Sequence, residues 1–178
     1  MQSDDTPSGG APDSDETGDS WSRELISSLG LSPHPEGGHY VEILRTDASV
    51  IPTDDRGQRP AMTHIYYLLR DGEQSRFHRV SSDELWHHYD GAALTLSLIS
   101  PDLKRHVKVR IGPASTGLER CTTVPAGWWQ AARSRGSYSL CGCTVAPGFD
   151  FADFQMLRDD PKLAARVNAA HPSAADLI

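Results

Sequence analysis

The chain has no run of apolar residues long enough to span a bilayer as a helix, which excludes a membrane-spanning helix. It lacks a basic n-region followed by an apolar h-region, so no secretory signal is read and the cytoplasm is the expected compartment. Cysteine is scarce: Cys121, Cys141 and Cys143. An odd number without a signal argues against a disulfide framework. Cys141 and Cys143 are spaced to share one face of a strand and read as small buried residues rather than a redox or metal pair. There is no basic surplus. The net charge is −7, and residues 1–20 carry −6 of it through Asp4, Asp5, Asp13, Asp15, Glu16 and Asp19. The remainder is nearly neutral, so neither nucleic acid nor a membrane is an expected partner. No internal repeat is present.

Residues 1–20 also lack large apolar side chains and cannot offset their ordering entropy, so they are predicted to be a disordered acidic tail. Residues 21–160 suit one domain, and residues 161–178 a C-terminal helix and tail. Leu25, Ile26 and Leu29 share a helical face, with Ser20 or Ser22 as cap and Gly30 as terminator. Strand and turn signals then dominate. Strands are predicted at 39–45, 63–70, 75–80, 84–89, 94–100, 106–111, 120–124, 128–133 and 137–145. Leu94, Leu96 and Leu98 alternate with Thr95 and Ser97, as in a strand with one face in a core. Pro161 opens a helix over 160–170, and 172–178 is expected to be loosely attached. The fold class is all-β, a sandwich or barrel with a short helix at each end.

The stretch from Ser75 to Gly91 carries the chemistry. His78 and Val80 share a strand face, and Glu84, Trp86 and His88 share another after a turn. This resembles the first motif of the cupin superfamily, G-x5-H-x-H-x3-4-E-x6-G, with His78, Glu84 and Gly91 in place and Val80 where a second histidine stands. Pro125-Ala126-Gly127 resembles the second motif, G-x5-P-x-G-x2-H-x3-N, with Gln130 at the histidine position. His34-Pro35-Glu36-Gly37-Gly38-His39-Tyr40, with Glu42 and Arg45, resembles the opening of the cupin-5 family of RmlC-like proteins. So do Ile65 to Leu69, Ser82 to His87, and Thr144 to Phe154. The resemblance implies a cupin double-stranded β-helix, or jelly roll, as a homodimer. It implies no particular reaction.

Three functions are open. In the first, His78 and Glu84 meet in the barrel and work as acid and base, with Tyr66, Tyr67 or Tyr40 as the paired acid. That suits isomerase, epimerase or lyase-like chemistry on a small molecule, with no cofactor predicted. In the second, the protein binds a small-molecule ligand without turnover. Trp86, Trp129, Tyr40 and Phe77 wall a pocket whose polar contacts come from Ser75, Gln130, Arg45 and Arg79. In the third, a divalent transition metal is held by His78, Glu84 and Gln130, completed by His88 or His34; valine cannot ligate and glutamine ligates weakly. The His34 to Gly38 segment is read in two ways. Either His34 and Glu36 touch ligand at the barrel mouth, or they satisfy backbone groups in a turn. Arg45 equally serves as a partner for Glu42 or Glu36, and the tryptophans as core.

Overall fold

The computed structural model describes residues 14–178. Helix α1 spans Ser14–Ser28 and so starts inside the segment predicted as a disordered tail; residues 1–13 of that tail lie outside the described residues. The expectation fails here because composition ignores what a helix is anchored to. Leu25, Ile26 and Leu29 pack on Leu31, Leu68 and Leu140, and that contact supports the turns that precede it. Neither Ser20 nor Ser22 is the first residue of the helix, and Ser22 Oγ instead donates to the Asp19 carbonyl. Gly30 ends the helix with φ +67°. Its N–H donates to Ser27 O, and that of Leu31 to Ile26 O, which is the Schellman arrangement.

Beyond this helix the described residues form thirteen strands. One antiparallel sheet has the order β1 (Ser32–Pro33), β2 (His39–Arg45), β5 (Thr63–Arg70), β12 (Tyr138–Ala146), β7 (Asp83–Gly91), β10 (Cys121–Val124). A second has the order β13 (Gln155–Met156), β6 (Gln74–Arg79), β11 (Trp129–Ser134), β8 (Leu94–Ile99), β9 (His106–Ile111). A small hairpin joins β3 (Ser49–Val50) to β4 (Arg59–Pro60). All strand pairs are antiparallel, and strands far apart in sequence are neighbours, as in a jelly roll. The predicted strands lie within a residue or two of the observed ones. The two-residue strands are too short to carry a period.

Between the sheets, Tyr67, Leu69, Trp86, Cys141 and Cys143 meet Leu94, Leu96 and Leu98. Ile99, on the opposite face of β8, is also buried, because that face is covered too. Phe77, Ile99, Trp129 and Ala131 pack there against Leu157, Val167, Ala174 and Leu177. The covering elements are α2 (Pro161–Ala170) and a short 3-10 helix, Pro172–Leu177. Asp160 caps α2 by accepting from Leu163 N–H at 3.0 Å, with Pro161 in the first turn. Residues 172–178 are therefore docked, not loose: Ala174 and Leu177 are buried, and Arg76 donates to the Ile178 carbonyl at 3.0 Å. The three cysteines are free, with Cys141 and Cys143 buried and Cys121 exposed. No helix among the described residues is long and apolar enough to cross a membrane.

Candidate functional site

Two glycines place the first acid. Gly37 and Gly38 have φ of +113° and +66°, the left-handed region that side chains avoid. A Cβ on Gly37 would stand 2.0 Å from Gln74 O, so only glycine lets this turn press against β6. The turn is tied down from both sides. Arg76 N–H donates to Glu36 O, and Tyr67 Oη donates to Gly37 O at 2.7 Å. Glu36 is thereby pushed into a cavity of about 250 Å³, with Ser75 Oγ donating to its Oε1 at 2.8 Å.

Inside, His78 Nε2 lies 3.0 Å from Glu36 Oε2, and His34 Nδ1 lies 3.4 Å from the same oxygen. The tautomers are set by the partners. His78 Nδ1 is 2.8 Å from Arg76 O, and a carbonyl only accepts, so Nδ1 carries a proton. Neutral His78 then presents a bare Nε2 to Glu36. His34 Nδ1 accepts from the Glu36 backbone N–H at 3.4 Å and is bare as well. Burial raises the Glu36 carboxyl above its ordinary range, against the weaker pull of His34, Ser75 and Tyr67. Burial lowers the basicity of both His34 and His78. Desolvation pushes all three toward their uncharged forms, and the bare Nε2 of His78 stands within hydrogen-bond reach of the Glu36 carboxyl.

Glu84 is set differently. Burial raises it, and the field of Glu36 acts in the same direction, while His78, Gln130 and Cys143 work to lower it. Trp86 Nε1 donates to Gln130 Oε1 at 2.9 Å, so the amide nitrogen of Gln130 is turned to donate to Glu84 Oε2. Burial outweighs these donors, so Glu84, like Glu36, is raised above its ordinary value. The cavity therefore holds two raised carboxyls with different partners, one facing imidazoles and one facing an amide and a thiol.

The walls are aromatic. Phe149, Phe151 and Phe154 form a strap over the mouth, with ring centroids 5.0 to 6.0 Å apart. Phe154 stacks on His78 at 5.5 Å, and Tyr40 meets His34 edge-on at 4.5 Å. Phe149 N–H donates to Thr63 Oγ1, and Arg45 donates to Phe149 O. Asp153 accepts two 2.8 Å bonds from Arg59, and Arg56 adds a contact at 3.4 Å.

His34, Glu36, Tyr40, Glu42, Arg45, His78, Glu84 and Trp86 line the cavity, and the other predicted site residues do not. Tyr66 points to the outer face of the sheet and packs toward Tyr89; its neighbour Tyr67 is the one that faces inward. Trp129 and Phe77 lie beneath the other face of the second sheet, and Arg79 stacks on Trp129 and donates to Gln155. Ser75 and Gln130 stand behind the carboxyls they support. His88 is buried but outside the cavity, with Nε2 2.9 Å from Ala92 O. His78 touches Glu36 rather than Glu84, which acts on it only through its field. Sequence reasoning misses the strap, although three phenylalanines in a turn-rich segment are a signal of apolar surface with a purpose.

Two of the four positions that match cupin metal ligands carry Val80 and Gln130 here. Val80 lines the cavity without a donor atom, and Gln130 uses both ends of its amide on Trp86 and Glu84. Among the described residues, no three His, Cys, Asp or Glu side chains are grouped to hold a metal ion.

The family model described as "Cupin superfamily (DUF985)" matches residues 23–157. A hypothetical protein from Leishmania major is 30% identical, with a TM-score of 0.75, covering 88% of this chain and 95% of its own. A protein from Shewanella oneidensis is 31% identical, with a TM-score of 0.71, covering 86% and 92%. An oxalate decarboxylase from Bacillus subtilis is 12% identical, with a TM-score of 0.54, covering 82% and 36%, and shares the fold alone. No curated protein matches the chain. The chain belongs to the DUF985 family of the cupin superfamily.

Proposed function

We propose that this cupin is a small-molecule enzyme that moves a proton with side chains of the barrel interior, in isomerase, epimerase or lyase-like chemistry. One observation carries the reading: His78 Nε2 stands 3.0 Å from Glu36 Oε2 inside a desolvated cavity that also contains Glu84. Two buried carboxyls with raised pKa values beside an imidazole are groups that general acid–base catalysis uses. Glu84 is the base, and Glu36 with His78 supplies the acid. Tyr67, whose hydroxyl is spent on Gly37 and whose ionisation burial makes still harder, orients the turn instead.

Proton abstraction from carbon is common to all three reaction types, and it leaves a mark in heavy water. Pools of small metabolites incubated with the protein in deuterium oxide should yield a compound that gains deuterium at carbon. The gain should vanish in Glu84→Gln and in His78→Gln. A ligand that saturates the cavity without any exchange would instead favour a binding protein without turnover.

A further inference from the structure

The charge inventory of this cavity is lopsided. Three carboxyl residues line it, Glu36, Glu42 and Glu84. Arg45 is the one guanidinium among the lining residues, and it is already spoken for: Nε and Nη2 reach the two oxygens of Glu42 at 2.9 and 2.7 Å, and Nη1 reaches Phe149 O. His34 and His78 offer bare nitrogens rather than positive charge. A ligand carboxylate or phosphate entering here would lose its water and meet no free cation. It would instead meet Glu84, whose hydrogen-bond partners Gln130 and Cys143 are uncharged.

The surfaces around that acid are those that accept positive charge. Tyr40, Trp86, Phe149, Phe151 and Phe154 all line the cavity. Aromatic faces attract ammonium groups through their quadrupole, most strongly where water is excluded. A buried glutamate among several aromatic rings, with no free cation beside it, is complementary to an organic ammonium ion, whose charge would favour ionised Glu84.

Taking the cavity as the working site, as proposed above, we infer that its ligand is a small organic cation, an amine-bearing or quaternary ammonium compound, held by Glu84 and the aromatic walls. The acid–base chemistry would then act on a carbon of a cationic substrate, and acids would be excluded by repulsion.

Shape and charge can be separated with three probes of nearly the same outline. Choline is cationic, 3,3-dimethylbutan-1-ol is its neutral isostere, and 3,3-dimethylbutanoate is anionic. Titrated calorimetrically into the full-length protein, choline should bind at least about tenfold more tightly than the alcohol, and the anion should not bind. In Glu84→Gln that preference should collapse toward equality while the alcohol binds as before. The surviving alcohol affinity also reports that the variant is folded. Binding of the alcohol or the anion as tightly as choline to the unaltered protein would overturn the inference and leave the cavity as a site for another class of ligand. Absence of binding by all three would overturn it too, and the acid–base reading would then stand or fall on the deuterium exchange alone.

Discussion

The inner face of the six-stranded sheet looks onto His34 and His78, while the outer face of the same sheet carries His64 and His87. Both pairs are part of a ring cluster, and in both burial lowers at least one imidazole. Their partners differ. Outside, His64 meets Thr144 Oγ1 at 2.7 Å and Tyr89 Oη at 3.0 Å, and His87 reaches Thr144 at 3.4 Å. Tyr89 lies flat over Gly142, where a Cβ would stand 2.4 Å from its hydroxyl. Inside, the partners are carboxyls away from water. Hydroxyls do not change protonation near neutral pH, so the outer imidazoles have no acid among these partners with which to exchange a proton. The inner cluster can redistribute protons. Histidine supplies the capacity, and the neighbouring acid with the loss of water makes it usable.

Gln130→Leu should break the inner arrangement most. It strands the Trp86 indole N–H and removes a donor from Glu84, at a cost of about 2–4 kcal/mol in chemical denaturation. A loss below about 0.5 kcal/mol would mean that water replaces the amide freely, and the contrast between wet and dry faces would weaken.

The dependence on pH is the next test. Glu36 has a folded pKa raised above its ordinary 4.5, so the folded state holds the proton longer. Its contribution is full below 4.5 and is lost as pH rises through the raised value. His34 and His78 are lowered from 6.5, so theirs is present above 6.5 and lost as pH falls toward the folded values. Thermal melts across this range should show losses on both flanks. Glu84 is raised as well, so Glu36→Gln should make the alkaline flank shallower without abolishing it and should keep the acid one. An unchanged alkaline flank would contradict a raised Glu36.

The smallest effect comes from adjacent tyrosines on opposite faces. Tyr67→Phe should cost about 1–2 kcal/mol by removing the donor from the half-buried Gly37 carbonyl. Tyr66→Phe should stay within about 0.5 kcal/mol. Equal costs in paired unfolding curves would erase the distinction between the faces.

Those two tyrosines also mark how far the sequence can be read. The strand containing them is legible to the residue, and so is its pattern of large side chains. Which parity faces inward is not, because both faces of β5 are covered: Tyr67 and Leu69 by the core, Leu68 by α1. With apolar residues at every position from 65 to 69, period two has no preferred phase. The motif spacing correctly suggests that His78 and Glu84 enter one barrel. It cannot reveal that Glu36 touches His78, since that contact spans 42 positions and depends on a glycine turn pressed onto another strand. By spacing alone, Gln130 reads as a failed metal ligand. Its use becomes visible only when register places it opposite His78 and within reach of Trp86.

An amide has two unlike ends, and the one at Gln130 is not free to choose between them. The indole of Trp86 can only give a hydrogen, so it claims the oxygen, and the nitrogen is left for Glu84. The setting works like a compass needle pinned at one pole. Turned around, it would bring oxygen against the carboxylate and nitrogen against the indole, repelling at both ends. One hydrogen on a tryptophan thus fixes, across the gap between two sheets, which end of the amide the acid meets. Removing that hydrogen while keeping an aromatic ring would leave the walls standing and let the needle swing.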